Sequence, residues 1–100
     1  QQVEGVILQD QTNGQQQYLA VRGVFIYVGN KPDTQWLEGM VQLDEKGYIP
    51  TDSGMATNLP GVFAVGDVRQ KGLRQIVTAA ADGAIAAVEA ERYLAKLGAI

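Results

Sequence analysis

The chain has 100 residues, 46% of them apolar and 19% charged, with a net charge of −3; this is the composition of one globular domain with a small core. Without cysteine or histidine it has no disulfide framework, no thiolate chemistry, no Cys-His or Ser-His nucleophile and no ordinary zinc site. It carries no basic run to mark a nucleic acid or anionic membrane partner, and no membrane span, because Asp82, Glu89 and Glu91 interrupt the longest apolar candidate.

The chain starts Gln1-Gln2, with neither an initiator Met nor a basic-then-apolar signal segment, and so has the look of a piece of a longer protein. Residues 3–9 form a short apolar run, Asp10-Gln11-Thr12-Asn13-Gly14 a turn, and residues 16–21 a second run. Asn-Gly tolerates positive φ at both positions, so a β-hairpin is expected. Residues 24–28, Val-Phe-Ile-Tyr-Val, have the continuous apolar character of a strand covered on both faces. The three runs together predict a β-meander.

Gly29-Asn30-Lys31-Pro32 is a break, and Pro32 pushes Lys31 out of helical geometry. Asp33 or Thr34 then caps a one- or two-turn helix through Trp36 and Leu37 that ends at Gly39. Trp36 is expected to anchor that short helix rather than to form a substrate platform. Around Asp44-Glu45-Lys46-Gly47, alternation of Val41, Leu43, Tyr48 and Ile49 suggests a short hairpin or a pair of extended loops with a solvated acidic turn. Asp52 and Thr57 are expected to stabilise their loops by hydrogen bonds.

The most informative stretch is Gly61-Val62-Phe63-Ala64-Val65-Gly66-Asp67. An apolar run closes on Gly-Asp, crosses a polar loop and enters a helix expected from Arg74 to about Leu97. That helix has an apolar stripe at Ile76, Ala80, Ala84, Ala87 or Val88, Leu94 and Leu97, and stops at Gly98. A strand-loop-helix unit of an open α/β sheet has its ligand crevice at the carboxyl end of the strand. Gly66 would let a ligand approach the backbone, and Asp67 would accept hydrogen bonds from ligand hydroxyls. The free N–H groups of the helix start, near Arg74, would face the same crevice. The competing reading makes Asp67 a loop aspartate that caps the next turn, and makes Arg74, Gln75 and Ile76 a solvated first turn.

This stretch, with Leu73-Arg74-Gln75-Ile76-Val77-Thr78-Ala79-Ala80-Ala81-Asp82-Gly83-Ala84 after it, resembles the C-terminal flavin-binding segment of the low-molecular-weight thioredoxin reductases. These enzymes are pyridine nucleotide-disulfide oxidoreductases. The likeness reaches back through Gly47-Tyr48-Ile49 and Gly29-Asn30-Lys31-Pro32-Asp33-Thr34, and covers about residues 23–97. It implies an α/β fold, a β-meander followed by strand, loop and long helix, as a fragment of the two-dinucleotide-binding-domain FAD/NAD(P) fold. Residues 1–28 would be closing strands of the NAD(P)H-binding domain, and residues 29–100 the C-terminal part of the FAD-binding domain.

The resemblance further implies FAD as cofactor. Gly66 and Asp67 would lie at its ribityl chain, and the backbone N–H groups of Arg74, Gln75 and Ile76 beside the flavin pyrimidine. A helix terminus there favours negative charge on the reduced ring by about 0.3–1 kcal/mol. No residue here would be catalytic, since the cofactor carries the redox chemistry. The implied parent is a cytoplasmic homodimer that moves electrons from NADPH to a thioredoxin-like protein. The chain lacks a Gly-x-Gly-x-x-Gly turn for a pyrophosphate and the Cys-x-x-Cys that passes electrons on, so alone it is expected to be inactive. Two alternatives stand beside this reading. One is a relative that reduces ferredoxin or serves a peroxidase. The other is a non-catalytic module whose strand 24–28 and alanine-rich helix swap or dimerise.

Overall fold

The computed structural model describes residues 2–100; Gln1 lies outside the described residues. Strands β1 (Gly5–Gln9) and β2 (Gln16–Ala20) form the expected antiparallel hairpin, with Ile7 opposite Tyr18 and Gln9 opposite Gln16. Its loop is longer than a two-residue Asn-Gly turn. Asp10 N–H donates to Gln15 O (2.9 Å) and Gly14 N–H to Asp10 O (2.8 Å). The Asp10 carboxylate accepts from the Thr12 hydroxyl (2.5 Å) and amide (2.7 Å), which holds its pKa below the ordinary value.

Two expected strands do not form. Residues 24–28 have no ladder partner among the described residues, and Phe25 and Tyr27 stand 83% and 90% exposed. An apolar run suited to a doubly covered strand becomes one only when neighbouring backbone satisfies it, and the described residues supply none. The meander is therefore a two-stranded hairpin followed by an unpaired segment. Residues 62–65 likewise make only one antiparallel bridge, Phe63 with Ala56. Their backbone bonds, Ala64 N–H to Met55 O and Thr57 N–H to Val62 O, both 3.0 Å, close around the intervening turn before a ladder can extend.

The body of the fold is built from loops over a small core. Val41, Ile49 and Ala64 are buried together, with Leu37, Leu43 and Val68 packed on them. Two aspartates organise these loops. Asp44 accepts from the N–H groups of Lys46 and Tyr48, and Asp52 from those of Gly54 and Ala56, all at 2.9 Å. Thr57 bonds within its own turn to Leu59 and Val62. Thr34 opens a single 3₁₀ turn, Gln35–Leu37, but its hydroxyl donates to Gly47 O (2.5 Å) instead of capping that turn. Trp36 is 68% exposed, so the expected packing of its ring does not occur.

The terminal helix α1 is Ile76–Lys96, two residues shorter at its start than expected. Gln75 is extended, and its N–H donates to Thr78 Oγ1 at 3.0 Å. At the other end Gly98 N–H bonds Ala95 O and Ala99 N–H bonds Leu94 O, each 3.0 Å, the double closure of a Schellman motif. The packed face differs from the expected apolar stripe. Ile76, Leu94 and Leu97 are exposed, whereas Ala79, Asp82, Ala86, Ala90 and Tyr93 line the covered side, and Asp82 alone in the helix is buried. Small alanines let the helix lie close to the loops, and a carboxylate that finds cations there outweighs the larger apolar residues, which find no apolar surface to meet.

Among the described elements the hairpin touches only itself, and α1 packs on the turn Gly66–Val68. The radius of gyration is 20.8 Å and the long dimension 67 Å. A compact chain of this length would have a radius near 13 Å.

Candidate functional site

The expected site residues gather around the turn Gly66–Val68. Gly66 is buried, with φ +75°, and its N–H donates to Asp82 Oδ2 at 3.0 Å. The same carboxylate accepts from Lys71 Nζ and Arg69 NH1, both at 2.8 Å. Asp82 thus collects one amide and two cations, and its pKa falls from 3.8 to about 2. The Lys71 hydrogen bond is the largest cause; burial opposes it, and Arg69 and the Gly66 amide assist. Arg69 Nε is also tied to Thr51 Oγ1 at 2.7 Å.

Asp67 sits in this turn with its side chain exposed. Among the described residues its carboxylate has no hydrogen-bond or ion-pair partner; only its carbonyl is engaged, by Arg74 Nε at 3.0 Å. Arg74 NH2 reaches Arg69 O at 3.1 Å, and its guanidinium lies 3.7 Å over the Tyr48 ring. The Tyr48 hydroxyl points to Asn30 O at 3.4 Å, a long bond. Asp67 does not cap the following turn, so the competing loop-cap role has no bond to support it.

Asp67, Val68 and Arg74 share an open cleft of about 340 Å³ with Asn30, Pro32 and Tyr48. The Gly29–Pro32 break, 35 residues upstream of Asp67 at its closest approach in sequence, is thereby brought to the same place. Asn30, Tyr48 and Arg74 also line a broader hollow of about 790 Å³, together with Asp44, Lys46, Gln70 and Lys71. Gln75 and Ile76 line neither; Ile76 opens α1 90% exposed, with the free N–H groups of any helix start beside it. Asp67 and Arg74 thus share the cleft; Gly66 lies buried beside them, facing Ala79, and lines neither hollow, and Gln75 and Ile76 adjoin.

Chemically, the arrangement offers one unpaired carboxylate as acceptor, an aromatic-backed guanidinium and a helix start. It can hold hydroxyls and an electron-rich edge. It has no nucleophile and base pair, and among the described residues no cluster of side chains suited to a metal. Tyr48 and Asp82 were not expected as site residues. A signal for Asp82 was present: an acid inside an alanine run, with Thr78 and Ala86 one turn away and two cations, Arg69 and Lys71, in the loop before.

Residues 1–83 match the family model described as pyridine nucleotide-disulphide oxidoreductase. The chain is 59% identical over 75 residues to a thioredoxin reductase of Peptoclostridium litorale, covering 75% of this chain and 24% of that protein. With the thioredoxin reductase of Listeria innocua it shares 50% identity over 95 residues, 95% of this chain and 30% of the other. Among solved structures, the Lactococcus lactis thioredoxin reductase (FR conformation) superimposes with a TM-score of 0.77 at 45% identity, covering 93% of this chain and 31% of that one. The chain therefore spans between about a quarter and a third of the length of these relatives, and its hairpin, loops and helix are a fragment of their FAD/NAD(P) fold. With most of its length matched by the family model and nearly all of it by relatives of this identity, the chain belongs to the pyridine nucleotide-disulphide oxidoreductases.

Proposed function

We propose that these residues are the C-terminal part of a thioredoxin reductase, in which electrons pass from NADPH through FAD to a disulfide of a thioredoxin-like protein. The relatives named thioredoxin reductase support the activity. Residues 1–28 then belong to the NAD(P)H-binding domain and residues 29–100 to the FAD-binding domain of a cytoplasmic homodimer. The hairpin's lack of contact with α1 accords with that division.

The observation that carries the reading is the unpaired Asp67 carboxylate in an open cleft next to the start of α1. FAD, when bound, supplies the redox chemistry. Asp67 accepts a ribityl hydroxyl, buried Gly66 keeps the turn low enough for that approach, and the N–H groups at Arg74 and Ile76 favour charge on the flavin pyrimidine, that of Gln75 being taken by Thr78 Oγ1. The donor set fits such a group: an acceptor, amides and an aromatic-backed cation, with no competing partner on the acid among the described residues. The test is Asp67→Ala in the full-length protein, read by flavin fluorescence during dialysis. FAD retention should fall by about tenfold, the worth of a hydrogen bond to a charged group; unchanged retention would refute the assignment.

A second reading keeps the cofactor and changes the acceptor. One relative, 41% identical over 93 residues, is a 34.2 kDa protein in a rubredoxin operon of Clostridium pasteurianum. Reduction assays of the full-length protein with thioredoxin and with small iron proteins separate the two.

A further inference from the structure

One buried and heavily engaged side chain, Asp82, is not used by the proposed function. Asp82 is 7% exposed, six residues after Ile76 at the start of α1, and each of its carboxylate oxygens is committed to the loop that precedes the helix. Oδ2 receives the Gly66 N–H and Lys71 Nζ; Oδ1 receives Arg69 NH1. The loop is thus held at its first, fourth and sixth residues. Between the first and the fourth lies Asp67, whose own side chain has no hydrogen-bond or ion-pair partner among the described residues. The ties continue outward: the carbonyls of Asp67 and Arg69 both receive Arg74, and Arg74 rests on Tyr48.

Residues 62–65 make one bridge, and the far side of the turn is held by a single parallel bridge of Arg69 with Ile49. In it Ile49 N–H donates to Val68 O (3.0 Å) and Gln70 N–H to Ile49 O (2.9 Å). Among the described residues no ladder reaches Gly66 or Asp67. Arg69 N–H closes the turn on Gly66 O at 3.1 Å, and Asp82 adds the tie at the Gly66 amide, where φ is +75°.

We propose that Asp82 is a positioning residue for the flavin site: by gathering the Gly66 amide, the Lys71 ammonium and the Arg69 guanidinium onto one carboxylate, it fixes the turn from which Asp67 reaches its ligand. This rests on the reading of Asp67 given above. Asparagine has a single acceptor oxygen, so at position 82 it can face Arg69 or the Gly66 and Lys71 pair, never both. Asp82→Asn therefore releases one side of the loop while keeping the side chain's volume.

The experiment is a double-mutant cycle in the full-length holoprotein, with Asp82→Asn introduced beside Asp67 and beside Asp67→Ala, and FAD dissociation as the readout. If Asp82 acts through Asp67, Asp82→Asn weakens FAD by about tenfold in the first background and less than about twofold in the second. A purely structural role weakens it by the same factor in both, and that result overturns the inference. Hydrogen exchange on the apoprotein supplies a readout without flavin. Asp82→Asn should speed exchange of the Gly66 amide, and an unchanged rate overturns the inference whatever FAD does. If Asp67→Ala alone leaves FAD affinity unaltered, the reading of Asp67 fails instead, an outcome the exchange data keep separate.

Discussion

Lys71 Nζ stands 2.8 Å from Asp82 Oδ2, eleven residues later in the chain, with both side chains at least nine-tenths hidden, and the contact joins the helix to the loop before it. Arg69 shares the same carboxylate. The triad consists of two cations and one anion, so its members are not equivalent. Lys71→Met leaves Asp82 paired with Arg69 and should cost about 1–3 kcal/mol. Asp82→Ala strands both cations and should cost about 3–5 kcal/mol. Urea denaturation of the full-length variants gives the order, and equal losses would contradict a shared carboxylate.

Acid should reveal the same group. The folded-state pKa of Asp82 is depressed from 3.8 to about 2. A depressed acid stabilises the fold above its unfolded value and loses that contribution as pH falls through the folded one, so the loss belongs between about pH 4 and pH 2. Its size is on the order of 2 kcal/mol. In Asp82→Asn the melting temperature should be lower at neutral pH and fall less steeply across that interval. A slope as steep as that of the unsubstituted protein would assign the acid limb to other carboxylates.

Two glycines with similar backbone geometry should behave differently. Gly66 and Gly61 have φ of +75° and +80°, where an L residue is strained by about 1–2 kcal/mol. A Cβ on Gly66 would meet Ala79 Cβ at 3.5 Å, ordinary contact, whereas one on Gly61 would meet the Tyr93 ring at 3.1 Å, which must shift. Gly61→Ala should therefore lower the melting temperature more, and Gly66→Ala, next to Asp67, should lower FAD retention more. Thermal melts and flavin release measured on the same samples test the crossing of the two orders.

Tyr48 wall chemistry can be separated from its hydroxyl. Tyr48→Phe keeps the ring under Arg74 and loses only the long bond to Asn30 O, so FAD retention and stability should barely change. Tyr48→Leu removes the ring face, at a cost of about 0.5–2 kcal/mol, and should loosen Arg74 from the cleft. Chemical denaturation and flavin release distinguish them; a Phe variant as impaired as Leu would place the effect in the hydroxyl.

Local chemistry in the sequence determined a good deal. The hairpin follows from two short β-forming runs around a turn-rich segment, α1 from its length and alanine content, and its stop from Gly98; these are decided within a few residues of chain. The spacing of Gly66, Asp67 and Arg74 marked the candidate site for the same reason, because a turn, an acid and a helix start in succession must lie close together. The strands at 24–28 and 62–65 were not decided locally, since a strand exists only through partners elsewhere, and these residues have at most a single bridge. Nor was the buried face of α1. Its larger apolar residues follow helical spacing, but it is Asp82 that turns inward, because Arg69 and Lys71 wait there, and only the path of the loop between residues 66 and 75 brings those charges within reach. Tyr48 and Asn30 join the cleft by the same long-range route, which no pattern along the chain records.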